Sequence, residues 1–193
     1  KAYVAVDRHL LGDEKPYLYK TDNYGQSWEL ISTETNGIPA DFTTRVLRED
    51  PVREGLLYAG TEFGIFVSFN DGKSWKKFQQ NLPVTPITDL KVFRGDLVLS
   101  TMGRGFWILD NITALRQQDI NNLKDTSVLF KPDNTIRYRY PEVGSGGFRN
   151  YPRPSVIIDY CLPKGNKGGV QLEILNANKE SVVTIVSDKT QLK

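Results

Sequence analysis

The sequence predicts an all-β chain, and three observations carry that prediction. Thr21-Asp22-Asn23-Tyr24-Gly25-Gln26-Ser27-Trp28 and Ser68-Phe69-Asn70-Asp71-Gly72-Lys73-Ser74-Trp75 match with Thr/Ser, Asn, Gly, Ser and Trp in register. Leu56–Val67 aligns without a gap to Leu97–Ile108. Between these segments lie short runs rich in Val, Ile, Leu, Phe and Tyr, broken by Gly, Asn-Asp-Gly and Pro, which is how short antiparallel strands read. Both offsets, from position 21 to 68 and from 56 to 97, fall within the roughly 40 to 50 residues of a four-stranded propeller blade. The expected fold is therefore a partial β-propeller of about two and a half four-stranded blades, followed by the start of an immunoglobulin-like β-sandwich.

The elements follow in order. The first blade has strands near 2–7, 16–21 and 28–32 and lacks its first strand. The complete blade has strands near 44–49, 55–60, 64–69 and 75–78. The third has strands near 87–93, 96–101 and 105–110, and its fourth strand is either the 127–131 run or a segment from elsewhere in the ring. Asn23-Tyr24-Gly25 and Asn70-Asp71-Gly72 are the turns that close each blade's last hairpin. Their side-chain oxygens accept from backbone N–H groups, and glycine takes the positive φ that a tight turn requires. Trp28 and Trp75 are then expected to pack on the blade face.

Asn111–Gln118 reads as a short helix capped by Asn111 or Thr113. Residues 119–153 form a connector with one extended stretch, Ile136–Tyr140, and a flexible run, Gly144-Ser145-Gly146-Gly147. Strands at 155–162, 170–175 and 181–186 open a sandwich that needs about seven. The domain boundaries expected are thus 1–118 for the propeller blades, 119–153 for the connector and 154–193 for the partial sandwich.

Composition excludes several function classes. With 25 Lys+Arg against 23 Asp+Glu, a net charge of +2 makes no basic field for nucleic acid. The alternating Arg137–Tyr140 run could stack on nucleic acid, but alternation reads more readily as a cross-strand ladder. No apolar run approaches the roughly 20 residues of a membrane helix. Cys161 is the only cysteine and His9 the only histidine. No internal disulfide, cysteine zinc cluster or His-rich metal site can form, and neither a metal nor a cofactor is expected. What remains is carboxylate chemistry or none. The chain opens in a strand pattern with no initiator Met and no signal-peptide layout, which reads as a mature or excised piece.

The two boxes resemble the Asp-box (BNR) repeats of β-propellers, a set that includes sialidases, some xyloglucanases and sortilin/Vps10-type receptors. Asn23 and Asn70 stand where the motif usually has aspartate. The run Gly60-Thr61-Glu62-Phe63-Gly64 through the second box, then Asn81–Pro86 and Gly103–Asp110, is similar to the end of the sortilin-like propeller in bacterial proteins labelled glycosyl hydrolase, BNR repeat. Met102 stands where that family commonly has a histidine. The resemblance covers about residues 1–120. It implies a secreted or periplasmic parent protein, with the remaining blades of the parent chain as partners of this piece.

Two functions follow from the resemblance. One is a glycan-directed hydrolase whose catalytic carboxylates lie mostly outside this chain, which by itself is expected to be inactive. The other is a non-catalytic, sortilin-like binding propeller for a peptide or carbohydrate ligand. In such a fold the box residues Thr21, Asn23, Gly25, Ser27, Trp28, Ser68, Asn70, Gly72, Ser74 and Trp75 are structural. The opposite, ligand-side loops would present Arg8, His9, Glu62, Phe63, Met102 and Arg104. Glu62 and Arg104 occupy neighbouring positions of successive blades, where they are expected to pair with each other or to bind an anionic or hydroxylated group. Glycoside hydrolysis would need two carboxylates across a cleft. Asp7, Glu62 and Asp110 are the candidates, and spacing alone pairs none of them. An acidic pair converging on the ligand side would favour the hydrolase, and an apolar rim without one the binder.

Overall fold

The computed structural model describes residues 1–117, 126–135, 155–163, 165 and 168–187. The chain is all-β. It divides into two units, residues 1–120 with 130–159 and residues 121–129 with 160–193.

The first unit holds three antiparallel sheets in which neighbours in sequence are neighbours in space. The first contains β1 (Ala2–Val6), β2 (Tyr17–Thr21) and β3 (Glu29–Leu30). The second contains β4 (Thr44–Glu49), β5 (Leu57–Thr61), β6 (Gly64–Ser68) and β7 (Lys76–Lys77). The third contains β8 (Ile87–Phe93), β9 (Asp96–Thr101) and β10 (Phe106–Leu109), with β10 at its edge. A short helix α1 (Thr113–Gln117) follows, and the Asn111 side chain accepts from the Thr113 N–H at 3.1 Å to start it.

Two layers of apolar side chains join the sheets. Leu18, Ile31 and Ile38 from the first sheet and its exit loop pack with Leu47, Leu57, Ala59, Phe66 and Trp75 of the second. Tyr58, Ile65 and Val67, on the second sheet's other face, pack with Ile87, Leu90, Leu97 and Leu99 of the third. The strands β5 and β6 are therefore buried on both faces, which is why they read as continuous apolar runs rather than alternating ones. Gly60 is fixed by this closeness: a Cβ there would lie 2.6 Å from Val46 Cγ1 and 2.7 Å from Ile87 Cγ2. The helix is tied to the second sheet by a buried ion pair, Arg116 Nε to Asp50 Oδ2 at 3.0 Å, and the Asp50 carboxylate also accepts from the N–H groups of Val52 and Arg53.

The boxes are two copies of one turn. Thr21 and Ser68 hydroxyls each donate to the asparagine two residues on, at 2.9 and 3.0 Å, and accept from Gly25 N–H and Gly72 N–H at 3.0 and 2.9 Å. Asn23 and Asn70 Oδ1 accept from Ser27 and Ser74 N–H, while their Nδ2 groups donate to the hydroxyls of the same serines. An aspartate could accept these bonds but not make the last donation, which the amide adds. Gly25 and Gly72 both sit at φ +85, where a side chain would be strained.

Three expectations need correction. Trp75 is buried, at 3% exposure, but Trp28 is 45% exposed. Trp75 lies on the first sheet, whereas among the described residues no sheet precedes the first to cover Trp28. The gap-free match of Leu56–Val67 with Leu97–Ile108 holds along β6 and β10 but slips by one residue along β5 and β9. The β5–β6 hairpin closes at Thr61 and Gly64, whereas Thr101 bonds across to Gly105, so the third sheet's turn has one extra residue. Finally, the 127–131 run does not complete the third sheet, because β11 (Val128–Leu129) pairs with β12 (Tyr160–Cys161) in the second unit.

The second unit also holds the hairpin β13 (Gln171–Leu175) and β14 (Ser181–Val186), closed around Asn176, whose side chain accepts from the N–H groups of Asn178 and Glu180. Of the expected 155–162 strand, only Tyr160–Cys161 pairs. Cys161 is a half-buried free thiol. The stretches 136–140 and 144–147 lie outside the described residues.

Candidate functional site: the loop end of the three sheets

Antiparallel meanders place the connections β1–β2, β5–β6 and β9–β10, with the segments entering β4 and β8, at one end of the sheets, and the boxes at the other. Backbone and hydroxyl contacts knit this loop end together. Tyr17 N–H donates to Thr44 Oγ1 at 3.1 Å, Thr43 Oγ1 to the Glu14 carbonyl at 3.0 Å and Glu62 N–H to the Thr43 carbonyl at 3.0 Å. Met102 N–H donates to the Pro86 carbonyl at 2.9 Å, and Thr85 Oγ1 to the Met102 carbonyl at 3.1 Å.

Arg45 sits at the centre. The β4–β5 register slips between Thr44 and Val46, leaving Arg45 as the extra residue of a bulge, and bulges re-aim side chains at the ends of sheets. Its guanidinium lies between two carboxylates: Nη2 donates to Glu62, and Nη1 is 3.5 Å from Asp7 Oδ2. Asp7 Oδ1 in turn accepts from His9 N–H at 3.1 Å and lies 2.6 Å from His9 Nδ1. Burial alone would raise the Asp7 pKa. The His9 hydrogen bonds and the Arg45 charge outweigh it and hold the carboxyl below its usual range. The bond to Glu62 likewise raises the Arg45 pKa, so the guanidinium is a fixed cation. Its Nε is buried and has no hydrogen-bond partner among the described residues.

The other sequence-derived candidates surround this cluster without joining it. Arg8 pairs with Asp13 at 3.2 Å and lies over the Tyr17 ring, whose hydroxyl donates to Asp13 at 2.9 Å. Phe63 is exposed on one face and packs on Phe42 with ring centroids 4.6 Å apart. Met102 and Arg104 lie exposed on the β9–β10 turn, where the Arg104 carbonyl accepts from Trp107 Nε1 at 3.1 Å. The expected Glu62–Arg104 pair does not form; Glu62 pairs instead with Arg45 on the adjacent strand of its own sheet. The Arg104 side chain makes no ion pair among the described residues. Asp110 follows β10 at the box end, away from Asp7 and Glu62.

Sequence reasoning missed Arg45 and the exposed loop residues Leu10, Leu11 and Val84. Arg45 had a signal, a cation near the start of a β-rich run, directly before Val46-Leu47. Leu10-Leu11 had one too, an apolar pair within a polar loop. No cluster of three metal-ligating side chains occurs among the described residues, and no helix among them is long and apolar enough to cross a membrane.

No protein-family model matches the chain, and no curated protein matches its sequence.

Proposed function

We propose that the first unit is a run of consecutive Asp-box propeller blades, and that its loop end is a non-catalytic surface that binds an apolar peptide segment. The observation that carries this reading is the sharing of Arg45 by Asp7 and Glu62. A glycoside hydrolase needs one carboxyl held protonated near neutral pH beside a second, ionised one. At this loop end Asp7 is instead held ionised, and both carboxylates serve as counter-ions. Beside the charged Arg8 and Arg104, the residues facing solvent include Leu10, Leu11, Phe63, Val84 and Met102, apolar side chains of the kind that mark interaction sites. On this reading the β13–β14 hairpin is the opening of an immunoglobulin-like sandwich, and the protein works outside the cytoplasm.

Panning the chain against a random-peptide display library tests this. Enriched apolar peptides whose binding is lost in Phe63→Ala and Met102→Ala are the expected result. Turnover of a glycoside panel by the chain, abolished by Glu62→Gln, would overturn it.

A further inference from the structure

The second and third sheets stack as the first and second do, but one part of the second interface is unfilled. In the first interface Ile31 N–H donates to the Leu18 carbonyl at 2.8 Å, and the Ile31 carbonyl accepts the indole N–H of Trp75 at 2.7 Å. The Trp75 ring packs in one cluster with Leu18, Ile31 and Phe66. One box repeat on from Leu18 and Ile31 stand Ile65 and Phe78, and Phe78 N–H donates to the Ile65 carbonyl at 2.9 Å. Trp107 stands on β10 where Phe66 stands on β6 in the matched segments. The seat is thus repeated, but the third sheet has no box and no box tryptophan to fill it.

What lies there is a small cleft of about 50 Å³, lined by Ile65, Phe78, Leu82, Leu99, Trp107 and Leu109. No hydrogen bond reaches the Phe78 carbonyl among the described residues. Beside the cleft, β10 is the edge of its sheet, whereas β2 and β6 are each covered by a two-residue strand, β3 and β7. Phe106 and Ile108, 80% and 59% exposed, lie on the face of β10 opposite Trp107 and Leu109, so apolar side chains flank the edge on both faces. Such edges are templates for strand addition. Backbone pairing would supply affinity there, and a pocket for an alternate side chain would supply selectivity.

We propose that the β10 edge and its cleft form a docking site for an extended segment led by tryptophan, of the same chemistry as Ser74-Trp75-Lys76-Lys77. The strand following the tryptophan pairs with Ile108 and Trp107, as Lys76 and Lys77 pair with Val67 and Phe66. The tryptophan ring packs over the mouth of the cleft, and its indole N–H donates to the Phe78 carbonyl. This site is separate from the loop-end rim and does not depend on the function proposed for it.

The test adds a fluorescein-labelled peptide of sequence 68–78 to the full chain and follows anisotropy together with amide hydrogen exchange. The proposal expects saturable binding, weakened at least tenfold when the peptide's tryptophan is replaced by alanine, and new exchange protection at Trp107–Leu109. Equal binding of the two peptides, no saturable binding, protection at β6 instead (the peptide then merely displacing β7), or β10 amides already protected in the free chain would each overturn it.

Discussion

The indole nitrogen of Trp75 donates to the carbonyl oxygen of Ile31 at 2.7 Å, joining the end of one sheet's box to the residue that follows the last strand of the sheet before it. The bond is buried and completes the packing of the ring. Replacing Trp75 by alanine removes a buried aromatic and leaves the carbonyl with only its bond from Asn36 Nδ2 at 2.8 Å, so it should destabilise the chain by about 3 to 5 kcal/mol. Trp28 stands at the same place in the first box but is exposed. Its replacement should cost less than about 1 kcal/mol. Urea midpoints of the two variants make the comparison.

Asp50 and Arg116 are the buried ion pair that holds α1, and Asp50 is fully buried. Removing one partner strands a charge, and Arg116→Ala should cost about 3 to 5 kcal/mol. The double variant Asp50→Asn with Arg116→Ala should recover part of that loss, measured as a coupling energy in a double-mutant cycle.

Asp71 sets an acid limit. Burial favours its neutral form, but bonds from Lys20 at 2.7 Å and Tyr3 at 2.7 Å, with the Lys1 charge nearby, hold the carboxyl below its ordinary value of 3.8. A group with a depressed folded-state pKa contributes stability that is fully present above the unfolded value and is lost as pH falls through the folded one. The chain should therefore lose stability below about pH 4, and Asp71→Asn should flatten that part of the profile while lowering stability at neutral pH. Thermal midpoints between about pH 2 and 7 check both signs.

The box amides should behave as turn-closing groups and not as ligands. The Asn70 side chain accepts from Ser74 N–H and from the Ser68 hydroxyl. Asn70→Ala removes both bonds and should cost about 1 to 2 kcal/mol. Asn70→Asp keeps the acceptors and should cost less. Equal losses in the two would show that the acceptor oxygen is not what closes the turn.

The strands were legible because local pattern and tertiary environment agree on them. Ile87–Phe93 and Thr44–Glu49 fall where the runs of β-formers end in turn residues, and the boxes carry their hydrogen-bond chemistry in the side chains themselves. The slip along β9 was not legible, since a hairpin with one extra residue preserves the letters around it: Gly64 and Gly105 still match, and only the pairing of Thr101 with Gly105 exposes the insertion. At the loop end, Glu62 was recognisable as a charged group in a turn, but its expected partner was the wrong one. Which cation reaches it depends on a bulge at Arg45 and on stacking between sheets, and neither leaves a periodic signal. The exposure of Trp28 was hidden for a related reason, because two closely matching boxes differ mainly in what lies beside them.

Asp7 and Glu62 are held by Arg45 and do not stand free for chemistry. A double-mutant cycle on Glu62→Gln and Arg45→Gln, read from denaturation at pH 7 and low salt, tests this most directly. A favourable coupling of about 1 to 3 kcal/mol is the predicted result. Additive single effects, with no coupling between the two positions, would leave Glu62 uncommitted and contradict it.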